Sequence, residues 1–508
     1  MVRPRLRYSR DVRVAVIGAG VGGIATAYKL KRAGVRDFVV FEQADGAGGT
    51  WHDNTYPGCE VDIPSALYSF SFMDWNWSRT HARQPELKAY VEATIDRFGL
   101  RPHFRFGARV DAATWSEERQ LYTVRLANGE EHEFETVVSC LGLLNHPRLP
   151  DWAGCETFRG PQFHTARWRH DIDLRGKRVA LVGTGSTACQ LLPELAEVAE
   201  RVFVFQREPA MVYPKGERFF TQAERARARR WRIVRLWRRY LVFRTYSRGI
   251  RKEPWRADTR FSEERKQLNL DFLAAEVHDP DVRRALTPGF PPGCKRDVAA
   301  TTYYAAFNRP NVTLVPHAVE RVTETGVVAA DGVERELDVL VLATGFQPQH
   351  VLATLDVVGR DGVSLHEFWG DSPRAFLGIT VPGFPNFFML YGPNTNGGGS
   401  IIYQDERAAE VAVRAVRKLR RGATAVDTRP SQFERYVKWI DDANAAKGTA
   451  MAYCNNYYFS ASGRNITQWP FTHLKYHLVT RFWGAIGLVT TRAPRPSGAG
   501  GRAAEVAA

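Results

Sequence analysis

The chain sets out one local pattern twice. A short apolar, β-branched run, Val14-Ala-Val-Ile17, breaks at Gly18-Ala-Gly20-Val-Gly-Gly23 and continues into an Ala-rich helical stretch. Further on, Arg178-Val-Ala-Leu-Val182 breaks at Gly183-Thr-Gly185-Ser186-Thr187-Ala188 and again gives way to a helical pattern. Continuous apolar runs of this kind read as strands buried on both faces, as in parallel sheets covered by helices. In the intervening turn the first glycine permits a tight reversal and the second lets the backbone approach a diphosphate. The third small residue lets helix pack on strand, and the helix N-terminus then faces the phosphates. The pattern predicts an α/β protein with two Rossmann-like dinucleotide-binding units. Two nucleotide cofactors on one polypeptide is a layout for passing electrons between them.

The strand after the first turn, Asp37-Phe-Val-Val-Phe41, ends at Glu42, where an acidic residue takes the ribose hydroxyls of an adenosine lacking a 2′-phosphate. The strand after the second turn ends Phe205-Gln206-Arg207-Glu208. An arginine there can grip a 2′-phosphate with two parallel N–H···O bonds, which favours NADPH. Glu208 would repel that phosphate or accept from a free 2′-hydroxyl, so NADH use stays open. Two other apolar runs, Thr136-Val-Val-Ser-Cys140-Leu-Gly142 and Leu337-Asp-Val-Leu-Val-Leu-Ala343-Thr-Gly345, read as strands at crossings between the units. On this reading residues 1–150 and 341–492 build the first unit, and residues 151–215 and 291–340 the second. Residues 216–290 are a helical insertion, and 493–508, rich in Gly, Ala, Pro and Ser, a disordered tail.

A length of 508 residues suits such a multi-domain plan. No apolar stretch is long enough to span a bilayer, and Met1-Val-Arg-Pro-Arg-Leu-Arg lacks the apolar core of a secretion signal, so the expected location is the cytoplasm. The six scattered cysteines contain no Cys-x-x-Cys pair, which argues against a disulfide framework, a zinc or other metal site and a dithiol redox centre. The net charge of +15 draws heavily on Ala223 to Arg256, where arginines alternate with Trp, Ile, Leu and Tyr. The simpler reading is a solvated insertion whose aromatic stripe packs on the body of the protein. The other is a membrane-surface helix that collects a lipophilic substrate. Nothing resembles a nucleic-acid-binding module. The sequence assigns no oligomeric state.

Gly49-Thr50-Trp51, four residues, Tyr56-Pro57-Gly58, three residues and Asp62 resemble the N-terminal signature of the FAD-dependent Baeyer–Villiger monooxygenases. The continuation Ile63 to Phe72 is similar to the hydroxyacetophenone monooxygenase branch. Phe158-x-Gly160-x-x-x-His164-x-x-x-Trp168 resembles the second family signature, which N- and S-oxygenating relatives usually end in Phe or Tyr. The likeness runs on through Phe376 to Thr395 and reaches Gly463-Arg464-Asn465 and Trp469-Pro470. It departs at Asn396-Gly-Gly-Gly399-Ser, where relatives often show Gly-x-Gly-His, and at Cys140-Leu-Gly142, which replaces Ala-Thr-Gly.

The resemblance implies that Gly18, Gly20, Gly23, Glu42, Gly49, Thr50, Trp51, Asp53, Tyr56 and Asn394 bind FAD. It implies that Gly183, Gly185, Ser186, Thr187, Arg207 and Lys295 bind NADPH. Phe158, Gly160, His164 and Trp168 would form a linker coupling cofactor movement to catalysis, with no proton-transfer role for the histidine. The segment Gly293-Cys-Lys295-Arg296-Asp297 would bring Arg296 to the flavin, with Asp62 holding it. The implied reaction begins with hydride transfer from NADPH to FAD. O2 then adds to give a flavin peroxide, whose anion attacks a ketone on the way to an ester or lactone. A guanidinium keeps the peroxide anionic and stabilises the oxyanion of the adduct. The alternative, an N- or S-oxygenating flavin monooxygenase, uses the protonated peroxide and has less need of Arg296. The Trp and Phe content points to an apolar ketone.

Overall fold

A computed structural model describes residues 11–397 and 399–492. The tail expected to be disordered, 493–508, lies outside the described residues. Two five-stranded parallel sheets form the framework. In the first, strand β1 (Val14–Ile17) is central and entirely buried. It leads into helix α1 (Val21–Arg32) and pairs with β2 (Phe38–Phe41) on one side and Thr136–Ser139 on the other. Phe387–Met389 completes one edge, so the chain returns to this sheet late. In the second sheet β3 (Arg178–Val182) leads into α2 (Ser186–Val198) and pairs with β4 (Arg201–Phe205) and Val339–Leu342. Val312–Val315 and Gln162–His164 form its edges. Neither α1 nor α2 carries an acidic residue in its first turn, which leaves both positive helix ends open to an anion.

The two turns are built alike. Gly18 N–H donates to Phe41 O at 2.7 Å, and Gly183 N–H donates to Phe205 O at 3.1 Å. Both glycines have positive φ, +102° and +122°. A Cβ on Gly18 would lie 2.8 Å from the carbonyl oxygen of Cys140, and one on Gly183 would lie 2.4 Å from that of Ala343. Cys140 and Ala343 are the residues just past the two crossing strands, so each crossing closes over the matching glycine. Replacement of Ala-Thr-Gly by Cys140-Leu-Gly142 leaves this contact in place.

The segment between the two halves of the second sheet is helical: Gln222–Arg230, α3 (Arg232–Arg251), Arg260–Glu276 and Pro280–Ala285. The expectation that its aromatic stripe packs on the body holds only in part. Trp231, Ile233, Trp237 and Tyr240 of this segment are all exposed. Phe243 does pack edge-on against Tyr403 and His473, and arginines make the other contacts: Arg239 donates to Ser69 O and Phe70 O, both at 2.9 Å, and Arg235 to Asp74 at 3.1 Å. Helical periodicity separates the two sets of residues, but the sequence pattern alone does not say which set turns inward. Late in the chain, α4 (Ile401–Leu419) lays a buried Ala/Val face along α1, and α5 (His473–Ile486) packs on α4. No helix among the described residues is long and apolar enough to cross a membrane.

Candidate active site

Both glycine turns open onto one cavity of about 1160 Å3. Its wall includes Gly18, Gly20, Glu42, Gly49, Thr50, Trp51, Asp53, Tyr56 and Asp62 from the first unit. It also includes Gly185, Ser186, Thr187, Arg207, Lys295 and Arg296. The fold therefore brings most of the sequence-derived candidates to one space. Gly49 has φ +54°, and a Cβ there would stand 3.0 Å from Gly20 Cα, so two glycine backbones form a cradle that no side chain fills. Gly23 lies inside the helix, where a Cβ would strike Gly18 O; its part is to let α1 pack on the turn. The Glu42 carboxylate ends β2 and accepts from the N–H groups of Ala19 at 2.7 Å and Ala44 at 2.9 Å, which fixes its position.

Across the cavity Arg207 is exposed and has no carboxylate partner among the described residues, leaving its fork available. Glu208 forms an ion pair with Lys295. The carboxylate that would oppose a phosphate is thus matched by a cation one residue from Arg296. Trp51 Nε1 donates to Tyr68 Oη at 3.0 Å, and Asp53 lies 3.4 Å from Arg167.

Arg296 donates from Nη2 to Asp62 Oδ2, uniting a loop of the second unit with the family-signature loop of the first. The cavity lets water reach both side chains, which are 41% and 24% accessible, although both lie deep in the molecule. Burial alone would raise the Asp62 pKa, but the charge of Arg296 and its hydrogen bond hold the carboxyl below its ordinary value. Asp62 in turn raises the Arg296 pKa against the cost of burial. Tyr68, Tyr391 and Tyr457 surround the pair on the cavity wall, and burial raises the pKa values of Tyr68 and Tyr391. The result is a permanently charged guanidinium, fixed by a carboxylate, facing a cavity with aromatic walls.

The second signature sits outside this wall. His164 ends its strand, faces Gly345 O across 3.1 Å at Nε2 and accepts from Ala166 N–H at Nδ1. Burial lowers its pKa, so it is held neutral. Trp168 packs edge-on against Phe163, and a Cβ on Gly160 would lie 2.4 Å from Asp338 O. The intermediate exposure of Phe158 reflects packing on the second sheet's smaller core.

One candidate lies away from the cavity wall, and one sequence expectation is corrected. Asn394 does not line the cavity. Its amide donates to Asn465 O at 2.8 Å, its carbonyl accepts from Arg464 at 3.0 Å, and it ties the 464–468 loop to the chain return. The scattered cysteines include a disulfide, Cys294–Cys454, with Cα atoms 6.0 Å apart across 160 residues. Spacing reveals local Cys pairs, whereas this pair meets only because the fold carries the 454 loop to the Lys295–Arg296 loop. Sequence reasoning also missed Gln190, which accepts from Tyr56 Oη at 2.8 Å and donates to Glu60 O at 3.0 Å. Glu60 in turn holds Lys215 at 2.7 Å. Only the helical face of α2 could have hinted at Gln190, and nothing in the sequence pairs it with the distant loop.

Two parallel nucleotide-binding sheets sharing one cavity, with a carboxylate-held arginine where the units meet, define a two-dinucleotide-domain flavoprotein oxidoreductase. Comparisons agree. Residues 11–218 match the family described as flavin-binding monooxygenase-like. A Baeyer–Villiger monooxygenase of Streptomyces coelicolor is 40% identical over 501 residues, covering 97% of this chain and 95% of that protein. Among solved structures, an oxidized steroid monooxygenase bound to NADP has a TM-score of 0.85 at 31% identity, covering 95% of this chain and 100% of that one. A complex of OTEMO with FAD and NADP gives a TM-score of 0.84 at 28% identity, over 94% and 99% of the two chains. The chain belongs to the FAD- and NADPH-dependent Baeyer–Villiger monooxygenases.

Proposed function

We propose that this monooxygenase oxidises an apolar ketone to an ester or lactone, with Arg296 as the residue that touches the reacting atoms. The Asp62–Arg296 pair at the junction of the two cofactor walls carries this reading. Bound FAD, reduced by NADPH, supplies the oxygen-activating chemistry. The residues fit both groups: glycine cradles, open helix ends and Glu42 on one side, Ser186, Thr187, Arg207 and Lys295 on the other. Arg296 places fixed positive charge where an oxyanion develops, and being already oriented it needs no reorganisation during reaction. Asp62 orients it without taking its proton. The tyrosine wall suits an apolar substrate. His164, hydrogen-bonded on both sides, supports a linker role. The unit boundaries expected from the sequence, the cytoplasmic location and contact of the exposed Trp/Arg face of α3 with a membrane surface are parts of the same proposal.

The test supplies FAD-loaded protein with NADPH, 18O2 and a panel of cyclic and aromatic ketones. One 18O atom in an ester or lactone is expected. Oxygen delivered only to amines or sulfides, or NADPH consumption ending wholly in hydrogen peroxide, overturns it.

A further inference from the structure

One buried acid in the cavity wall has no part in the chemistry above. Asp405 lies one turn into α4 and is 3% exposed. Its Oδ1 has no hydrogen-bond partner among the described residues. Its Oδ2 lies 3.2 Å from where a Cβ on Gly22 would stand, so the carboxyl faces the first turn of α1. That turn is the part of the first unit built to face a diphosphate. The neighbouring Glu406 is already engaged, accepting from Ser71 N–H at 2.6 Å.

A carboxylate with one oxygen sealed from water and unpartnered is costly in its charged form, which favours the neutral acid. An ionised Asp405 beside a diphosphate would repel it, whereas a neutral acid can donate a hydrogen bond. We propose that Asp405 binds FAD in its protonated form, donating from Oδ2, the oxygen on the side of the α1 turn, to an oxygen of the diphosphate–ribityl chain. This rests on the assignment of FAD to the first unit and adds to it a ligand on a helix remote from the glycine motif.

Burial, assisted by the charge of Glu406, moves the Asp405 pKa up to about 8. The other titratable groups that sense it are Tyr68, Cys140, Tyr391 and Tyr476, from four separate segments. Burial raises all four pKa values well above their ordinary values, so none competes with Asp405 near pH 8. FAD affinity should therefore weaken as pH rises past the Asp405 pKa, which bound diphosphate itself would displace upward.

The experiment measures the FAD dissociation constant by flavin fluorescence from pH 6.5 to 9.5 for wild type, Asp405→Asn and Asp405→Leu. Wild type should lose affinity at a limiting slope of about tenfold per pH unit, the mark of a single linked proton. Asp405→Asn, a donor at every pH, should bind with no such slope. Asp405→Leu, neutral without a donor, should also be flat but about tenfold weaker than wild type at pH 6.5. A slope retained in Asp405→Asn overturns the proposal, as does a wild-type profile flat to pH 9.5. Wild type that takes up no FAD at pH 6.5 would instead overturn the FAD assignment.

Discussion

At the scale of single residues, the cavity sorts its charges by pairing. Arg296 is held by Asp62, Lys295 by Glu208, and Arg207 is left open. Arg296→Ala should lower ester formation by at least about a hundredfold, by analogy with loss of an oxyanion-stabilising donor, while FAD is retained. Product analysis beside flavin absorbance checks both halves. Arg207→Ala should raise the KM for NADPH about tenfold or more and leave that for NADH nearly unchanged, since only NADPH carries the phosphate. Asp405 adds a stability effect. Its pKa is raised from 3.8 to about 8, so the folded state keeps a proton that the unfolded chain releases within that window. Wild-type stability therefore carries a penalty that grows from pH 4 to pH 8. The Tm advantage of Asp405→Asn over wild type, both stripped of FAD, should widen across that range in thermal melts. The Asp62–Arg296 pair was legible from family motifs. Asp405 was not, because an acidic residue in an amphipathic helix reads as solvated until the packing of α4 on α1 is known.

At the scale of elements, the glycine turns were the most legible feature, because strand, turn and helix follow each other within some 20 residues. The lid over each turn was not legible, since Cys140 and Ala343 lie more than 100 residues downstream. Gly183→Ala forces a Cβ onto the Ala343 carbonyl and an alanine into positive φ, which together should cost about 1–3 kcal/mol and weaken NADPH binding. Chemical denaturation and NADPH titration read the two effects separately. The direction of α3 was the least legible element. Arginine stems can cover apolar ground while their head groups reach backbone carbonyls, so arginines share the inward face with Phe243.

At the scale of the molecule, the order of segments was readable because each apolar run announces a strand of a parallel sheet. What joins the units was not. Cys294–Cys454 and the Gln190 clasp each depend on contacts between residues more than 100 positions apart, which no local pattern encodes. The Cys294→Ser, Cys454→Ser double variant should unfold more easily, by up to about 5 kcal/mol in the chain-entropy limit. Its melts, compared with those of wild type under oxidising conditions, give the figure.

The clasp has a consequence for recombination between relatives. Gly58 admits no side chain because a Cβ would lie 2.4 Å from Gln190 O, and Tyr56 and Glu60 bond the same glutamine. The signature loop and the middle of α2 therefore form one inherited module, although 130 or more residues separate the bonded partners. A chimera whose breakpoint falls between them should assemble poorly even when both parents are active. Productive crossovers should carry Tyr56 through Glu60 and Gln190 from the same parent.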